Sequence, residues 1–168
     1  MSAATLSYDG EAVDRAFRDL MLQLQEQKKR QKMSLRAMEE KSSCHHESLV
    51  SWIKMERQPY LSGLARAFAC LGMELWIVPK AYCRWPLKPL RVEPWKTDFQ
   101  PAFADYLIDA FAAVRLPYYR VREHLPIGRN VVYTWLDGSS QPKALTLFRV
   151  LNLVGYTMEV RESPHPSR

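Results

Sequence analysis

Ser51-Trp52-Ile53-Lys54-Met55-Glu56-Arg57-Gln58-Pro59 and Thr134-Trp135-Leu136-Asp137-Gly138-Ser139-Ser140-Gln141-Pro142 carry the same punctuation at the same spacing. Each tryptophan stands seven residues before the proline of a Gln-Pro pair, and a glycine follows later, Gly72 in one case and Gly155 in the other. The offset is 83 throughout (135 − 52, 142 − 59, 155 − 72). The same ungapped shift superposes Leu24 on Leu107, Glu40 on Glu123, Gln58 on Gln141, Leu64 on Leu147 and Arg66 on Arg149. A spacing shared over roughly sixty residues marks an internal repeat, which constrains architecture more than any single residue does.

Working outward from Trp52, the stripe Val13, Phe17, Leu20, Met21 and Leu24 predicts an amphipathic helix that runs into the polar end Gln25 to Lys32. Ser34 is placed to cap a short second helix, Leu35 to Lys41. Ser42-Ser43-Cys44 reads as a turn, and His45 to Lys54 as a third helix with Leu49, Trp52 and Ile53 inward. Pro59 is expected to open a fourth helix striped by Leu61, Leu64, Ala65, Phe68 and Leu71, and Gly72 to cap it. Met73 to Val78 reads as a strand.

Around Trp135 the plan recurs. A stripe runs through Phe103, Leu107, Ala110, Phe111 and Val114, then a second helix from Pro117 to His124 and a third from Arg129 to Leu136. A fourth is opened by Pro142 and capped by Gly155, and Tyr156 to Val160 alternates like a strand. The expected fold is therefore mainly α: two repeated four-to-five-helix domains, residues 11–78 and 100–162, each followed by a short β-strand. Pro79, Pro86, Pro89 and Pro94 keep residues 79–99 out of helix, so this connector is expected to be extended and to pack Tyr82, Trp85 and Trp95 on the modules. The first ten residues and the tail Ser163–Arg168 are expected to be loose. The two strands are expected to pair, within the chain or across a homodimer, because a lone strand leaves an open edge.

A chain of 168 residues with 47% hydrophobic residues and six glycines can fold, but units of this size are small enough to lean on a neighbour. The net charge of +6 admits a polyanionic partner without requiring one. Cys44, Cys70 and Cys83 are an odd number without disulfide spacing, which favours a reducing compartment. No apolar run reaches the length of about 18 residues that a membrane span needs, and the N-terminus lacks the pattern of a signal peptide. The expected location is cytoplasmic and nucleoid-associated, with no membrane partner.

Ser34-Leu35-Arg36-Ala37-Met38 through Trp52, Pro59 and Gly72 resembles the Cro/CI-type helix-turn-helix family of phage and bacterial DNA-binding proteins. Trp135-Leu136-Asp137-Gly138, Pro142 and Val154-Gly155 carry the same resemblance in the second half, and the two together span most of residues 13–160. The chain departs from the family pattern where Met55 replaces a glycine, where Glu39 and Arg122 replace a small residue, and where Ser43 and Pro126 replace the glycine between the helices.

The resemblance implies double-stranded DNA as partner, with the third helix of each module presenting its N-terminal residues to the major groove. In the second module those residues are Gly128, Arg129, Asn130, Tyr133 and Thr134, with Arg120 and Arg122 placed for phosphates. Arginine can bond guanine O6/N7 bidentately and asparagine can do the same for adenine. In the first module they are His45, His46, Ser48 and Ser51, with Glu47 among them and the basic run Lys28, Lys29, Arg30, Lys32 and Arg36 ahead. The run is either a phosphate clamp or a solvated helix end.

Cys44-His45-His46 lacks the second spaced ligand pair that a structural zinc needs, and His124 and His165 belong to no nucleophile or paired-carboxylate motif. No metal, cofactor or enzymatic activity is expected. Two functions stay open at this level. One is a sequence-specific transcriptional regulator, most simply a repressor, acting as a covalent pseudo-dimer. The other is a protein-interaction regulator of the anti-activator type, in which one or both modules, the N-terminal one foremost, hold a partner protein in place of DNA.

Overall fold

In the computed structural model, which describes residues 8–164, the Asp9 side chain accepts from the N–H groups of Glu11 and Ala12 (3.1 and 3.3 Å) and so opens α1, Gly10–Arg30. Order thus begins before residue ten, earlier than expected, because an aspartate cap satisfies N–H groups that would otherwise fray. The expectations placed on residues 1–7 and 165–168 lie outside the described residues. There follow α2 (Leu35–Ser42), α3 (His46–Ile53), α4 (Leu61–Cys70), β1 (Met73–Pro79), β2 (Leu90–Arg91) and α5 (Phe99–Val114). A 3-10 helix (Tyr118–Glu123), α6 (Val131–Leu136), α7 (Ala144–Leu153) and β3 (Tyr156–Glu162) complete the chain. The protein is mostly helical with one small antiparallel sheet in the order β2-β1-β3.

β1 and β3 pair with each other inside the chain over seven residues, from Met73 against Glu162 to Pro79 against Tyr156. Alternation along the strands turns Met73, Leu75, Ile77, Tyr156 and Met158, all buried, to one face, which α4 and α7 cover. On the other face the Arg161 guanidinium sits 4.8 Å from the Trp76 ring centre, and buried Glu74 meets Arg91 at 3.4 Å. At the centre of the ladder Trp76 opposes Glu159, residues that lie 83 apart (159 − 76). The isolated bridge Tyr60–Lys143 has the same separation (143 − 60).

The flanking hydrogen bonds come in twins that this shift interconverts. Leu61 N–H donates to Pro142 O and Ala144 N–H to Pro59 O, each at 2.9 Å. Lys80 N–H donates to Gly155 O and Ser163 N–H to Gly72 O, again at 2.9 Å. Ser163 is therefore tied down, against the expectation of a loose tail. Left-handed backbone also recurs at the same separation: Lys32 and Arg115 (φ 52° and 54°), Met55 and Gly138 (59° and 76°), Gly72 and Gly155 (74° and 94°). Met55 adopts the conformation that glycine takes in the other half, at a cost of about 1–2 kcal/mol for an L-residue.

One contiguous buried cluster joins both halves, from Val13 and Phe17 on α1 to Phe148 and Leu151 on α7. The Phe17 and Phe148 rings lie 5.4 Å apart, and beside them Arg149 grips both Asp14 oxygens at 2.8 and 2.9 Å. The Arg149 guanidinium holds the Asp14 carboxyl below its usual pKa of 3.8. A depressed carboxylate contributes stability that is complete above the unfolded pKa and vanishes as pH falls through the folded one. Asp14 is 44% exposed, so solvent limits the pair to about 1 kcal/mol or less. Asp14→Asn is expected to lower the melting temperature at about pH 7, and the gap should close only as pH falls through the depressed carboxyl pKa, below 3.8. A gap independent of pH in a melting series would remove the ion pair from this account.

Three expectations need correction. Pro59 and Pro142 are buried but do not open helices; α4 and α7 begin two residues later, and the prolines' carbonyls accept the bonds that link the two halves instead. The second helix of the C-terminal half is 3-10, not α. The connector docks through Leu87, Leu90 and buried Val92, with Leu87 N–H donating to the Tyr156 hydroxyl (3.1 Å), and it contributes β2 to the sheet. Its aromatics stay out: Trp85 is 66%, Tyr82 50% and Trp95 40% exposed. Aliphatic side chains at alternate positions fit the sheet edge, whereas the proline-flanked aromatics project from turns.

Candidate nucleic-acid interface

α3 is held by Leu49 and Trp52, both buried, and its end is fixed by the Gln25 side-chain amide, which donates to the Ile53 carbonyl. His45 caps it, accepting from Glu47 N–H on Nδ1 (3.3 Å). Its outward surface is His45, His46 and Glu47, all exposed, with Ser48 and Ser51 half-buried behind them. His46 Nδ1 lies 3.8 Å from a Glu39 carboxylate oxygen. The first head is thus interleaved with carboxylates from two helices.

α6 is anchored by Val132 and Trp135, residues 83 beyond Leu49 and Trp52, and Gln100 donates to the Trp135 carbonyl at 2.8 Å. It is shorter than expected: Arg129 and Asn130 lie in the turn before it, and Asn130 makes no side-chain cap bond. The reason lies upstream. Ser43 turns the first half into α3 through left-handed backbone (φ 59°), and its counterpart Pro126, with φ locked near −65°, cannot follow. The chain instead enters α6 through the Pro126-Ile127-Gly128 turn.

Gly128, Arg129 and Asn130 are exposed, and Tyr133 is 44% exposed beside them. A ring ladder fixes Tyr133 to the core: Phe111 to Tyr118 at 5.0 Å and Tyr118 to Tyr133 at 5.3 Å, both edge-on. Burial raises the Tyr118 pKa, with the Tyr133 phenol adding to the effect, so Tyr118 stays a neutral packing group. Tyr119, Arg129, Asn130 and Tyr133 together line a shallow depression. No Asp or Glu occurs between Glu123 and Asp137. Thr134 turns the other way: its hydroxyl donates to the Val131 carbonyl (2.6 Å) and meets the Ser140 hydroxyl at 2.7 Å, so it closes the helix end.

Of the arginines expected to meet phosphates, Arg122 is exposed, while Arg36 leans on Glu40 (3.5 Å) and Arg120 on Glu123 (3.2 Å), each a glutamate of its own segment. The two glutamates stand 83 apart. Both pairs are exposed, so exchanging the carboxylate for another anion costs little. Lys28, Lys29 and Arg30 form the last turn of α1, where cations suit the negative end of the helix dipole. Cys44 is buried, its thiol 3.6 Å from the Gly63 carbonyl, away from the exposed histidines. Tyr119 is the residue of the depression that sequence reading missed; its signal was a second tyrosine after the helix-starting Pro117-Tyr118.

No helix among the described residues is long and apolar enough to cross a membrane. Comparison of the chain with protein-family models, curated proteins and solved structures gave no match.

Proposed function

We propose that the chain is a sequence-specific DNA-binding transcriptional regulator, built as two Cro/CI-type helix-turn-helix units fused into a pseudo-two-fold pair, and most simply a repressor. The observation that carries the reading is the acid-free arc Tyr119, Arg129, Asn130 and Tyr133 at the start of a short helix anchored by Val132 and Trp135. Arginine and asparagine there match guanine and adenine edges, and tyrosines can flank them with sugar or base contacts. The twin hydrogen bonds and matched left-handed residues at a constant separation of 83 support the duplication. In this reading the β1–β3 pairing supplies within one chain the contact that a homodimer would supply between two. A homodimer of such chains would present four heads.

The heads are unequal. The C-terminal one reads bases, while Glu39 and Glu47 in the N-terminal one repel phosphate and favour a weaker or different role. That same acidity supports a second reading, in which the N-terminal head holds a basic surface of a protein partner.

Selection from a random duplex pool, followed by gel shift, tests the main reading. A defined site should emerge, bound more weakly as salt rises. Arg129→Ala should weaken that site about 10- to 100-fold, corresponding to roughly 1–3 kcal/mol, and should barely affect random duplex. Arg36→Ala and Arg120→Ala should weaken all duplexes alike and reduce the salt slope. Failure to enrich any duplex at low salt would count against DNA binding and leave the protein-partner reading.

A further inference from the structure

Two clefts open where the halves meet, and their walls correspond. One, of about 290 Å³, is lined by Phe17, Met55, Gln58 and Pro59; the other, of about 550 Å³, by their counterparts Gln100, Gly138, Gln141 and Pro142. Each pair differs by 83 (100 − 17, 138 − 55, 141 − 58, 142 − 59). Their electrostatics do not correspond. Asp14 and Glu56 line the smaller cleft together with Arg18 and Arg57, and at its side Asp14 neutralises Arg149. Arg66, the counterpart of Arg149, lines the larger one, where no Asp or Glu contributes to the wall.

Among the described residues the Arg66 side chain makes no ion pair and no hydrogen bond, although the residue is half-buried. The counterpart of Asp14 is Thr97, which lies in the turn before α5 and brings no carboxylate. A half-buried guanidinium without an anion is an incomplete arrangement, since its charge has left part of its water without gaining a partner. Other polar groups share the wall: the Ser62 hydroxyl, which donates to the Gln141 amide oxygen, the Gln100 amide, which donates to the Trp135 carbonyl at 2.8 Å, and Lys96, which spends part of its charge on Glu93 at 2.8 Å. On one wall the Phe99 and Phe103 rings stack at 5.6 Å. The volume exceeds that of a bare ion and falls within the range of small-molecule sites.

We propose that this larger cleft binds a phosphorylated small molecule, its phosphoryl oxygens on Arg66 with Ser62, Gln141 and Lys96 around them and its organic part against Phe99. Arginine matches a phosphoryl group with two parallel N–H donors. Because α4 and the α6–α7 turn both contribute walls, occupation fastens one half to the other. The site stands whether or not the heads read DNA.

Inorganic phosphate, titrated into the full chain without DNA and followed by NMR of backbone amides and arginine Nε–H groups, is the test. Saturable shifts are expected at Arg66, Ser62 and Gln141, absent with chloride at matched ionic strength. Arg66→Gln should weaken binding about tenfold or more, the scale of a lost charge-assisted bond. Gln141→Glu changes an exposed side chain, leaves the fold intact, and should abolish binding by placing a carboxylate beside Arg66. Non-saturating shifts that are identical in both variants would overturn the proposal. So would free phosphate failing to bind while Arg66→Gln weakens every duplex equally, since the phosphoryl group would then be the DNA backbone's.

Discussion

A chain ending at Gly155 is expected to lose its cooperative unfolding transition altogether. Removing β3 strips β1 of its seven β3 partners, leaving only the two-residue contact with β2, and uncovers Leu75 and Ile77, which are 2% and 0% exposed in the intact chain. It also removes Tyr156 and Met158, 0% and 5% exposed, and burying such side chains contributes roughly 1.5–3 kcal/mol each. Each lost ladder bond forfeits about another 1 kcal/mol. The connector loses its tether as well, because Leu87 N–H donates to the Tyr156 hydroxyl. The combined loss is comparable with the whole stability of an ordinary domain, about 5–15 kcal/mol. Circular dichroism during heating should show a broad, shallow slope in place of a sigmoid. A truncated chain that melts sharply within a few degrees of the parent would mean that the halves stand without the sheet.

Phe148→Ala should cost about 3–5 kcal/mol, the range for a fully buried phenylalanine, and lower the melting temperature by on the order of 10 °C. Phe148 is 1% exposed on α7, with its ring against Phe17 of α1. The cavity would open at the seam between the halves, and the rigid pairs on either side, Asp14–Arg149 and the Pro59–Ala144 bond, hinder collapse around it. Since one buried cluster spans both halves, the damage should reach both together. Urea unfolding followed by far-ultraviolet dichroism and by tryptophan fluorescence should therefore give coincident curves. Two separated transitions, only one of them shifted, would show that the halves unfold independently and that the seam contributes little.

Much of this was legible in the residues. The helices around Trp52 and Trp135 followed from apolar spacing and from caps such as Ser34, whose hydroxyl accepts from Ala37 N–H. Those signals act within one turn, so local sequence carries them. The exposed residues Arg129, Asn130 and Tyr133 were legible for the same reason, since Val132 and Trp135 turn them outward. The capture of the Thr134 hydroxyl was less legible, because beside the Val131 carbonyl of its own helix it meets Ser140 on the following turn. The burial of Val92 and the exposure of Trp85 were illegible because hydrophobicity alone ranks tryptophan first, while proline geometry decided which side chains reached the core.

The residues alone carried the recurring spacing of 83, the dominance of helix, and the outward set Arg129, Asn130 and Tyr133 around the start of α6. Folding in three dimensions decided how the two halves meet. The β1–β3 register, the crossed bonds at Pro59 and Pro142, and the pairing of Arg149 with Asp14 all join groups between about 80 and 135 positions apart. Periodicity reports only which face of an element is apolar. Which face it meets is set by closing long loops around a shared core, and no spacing along the chain records that.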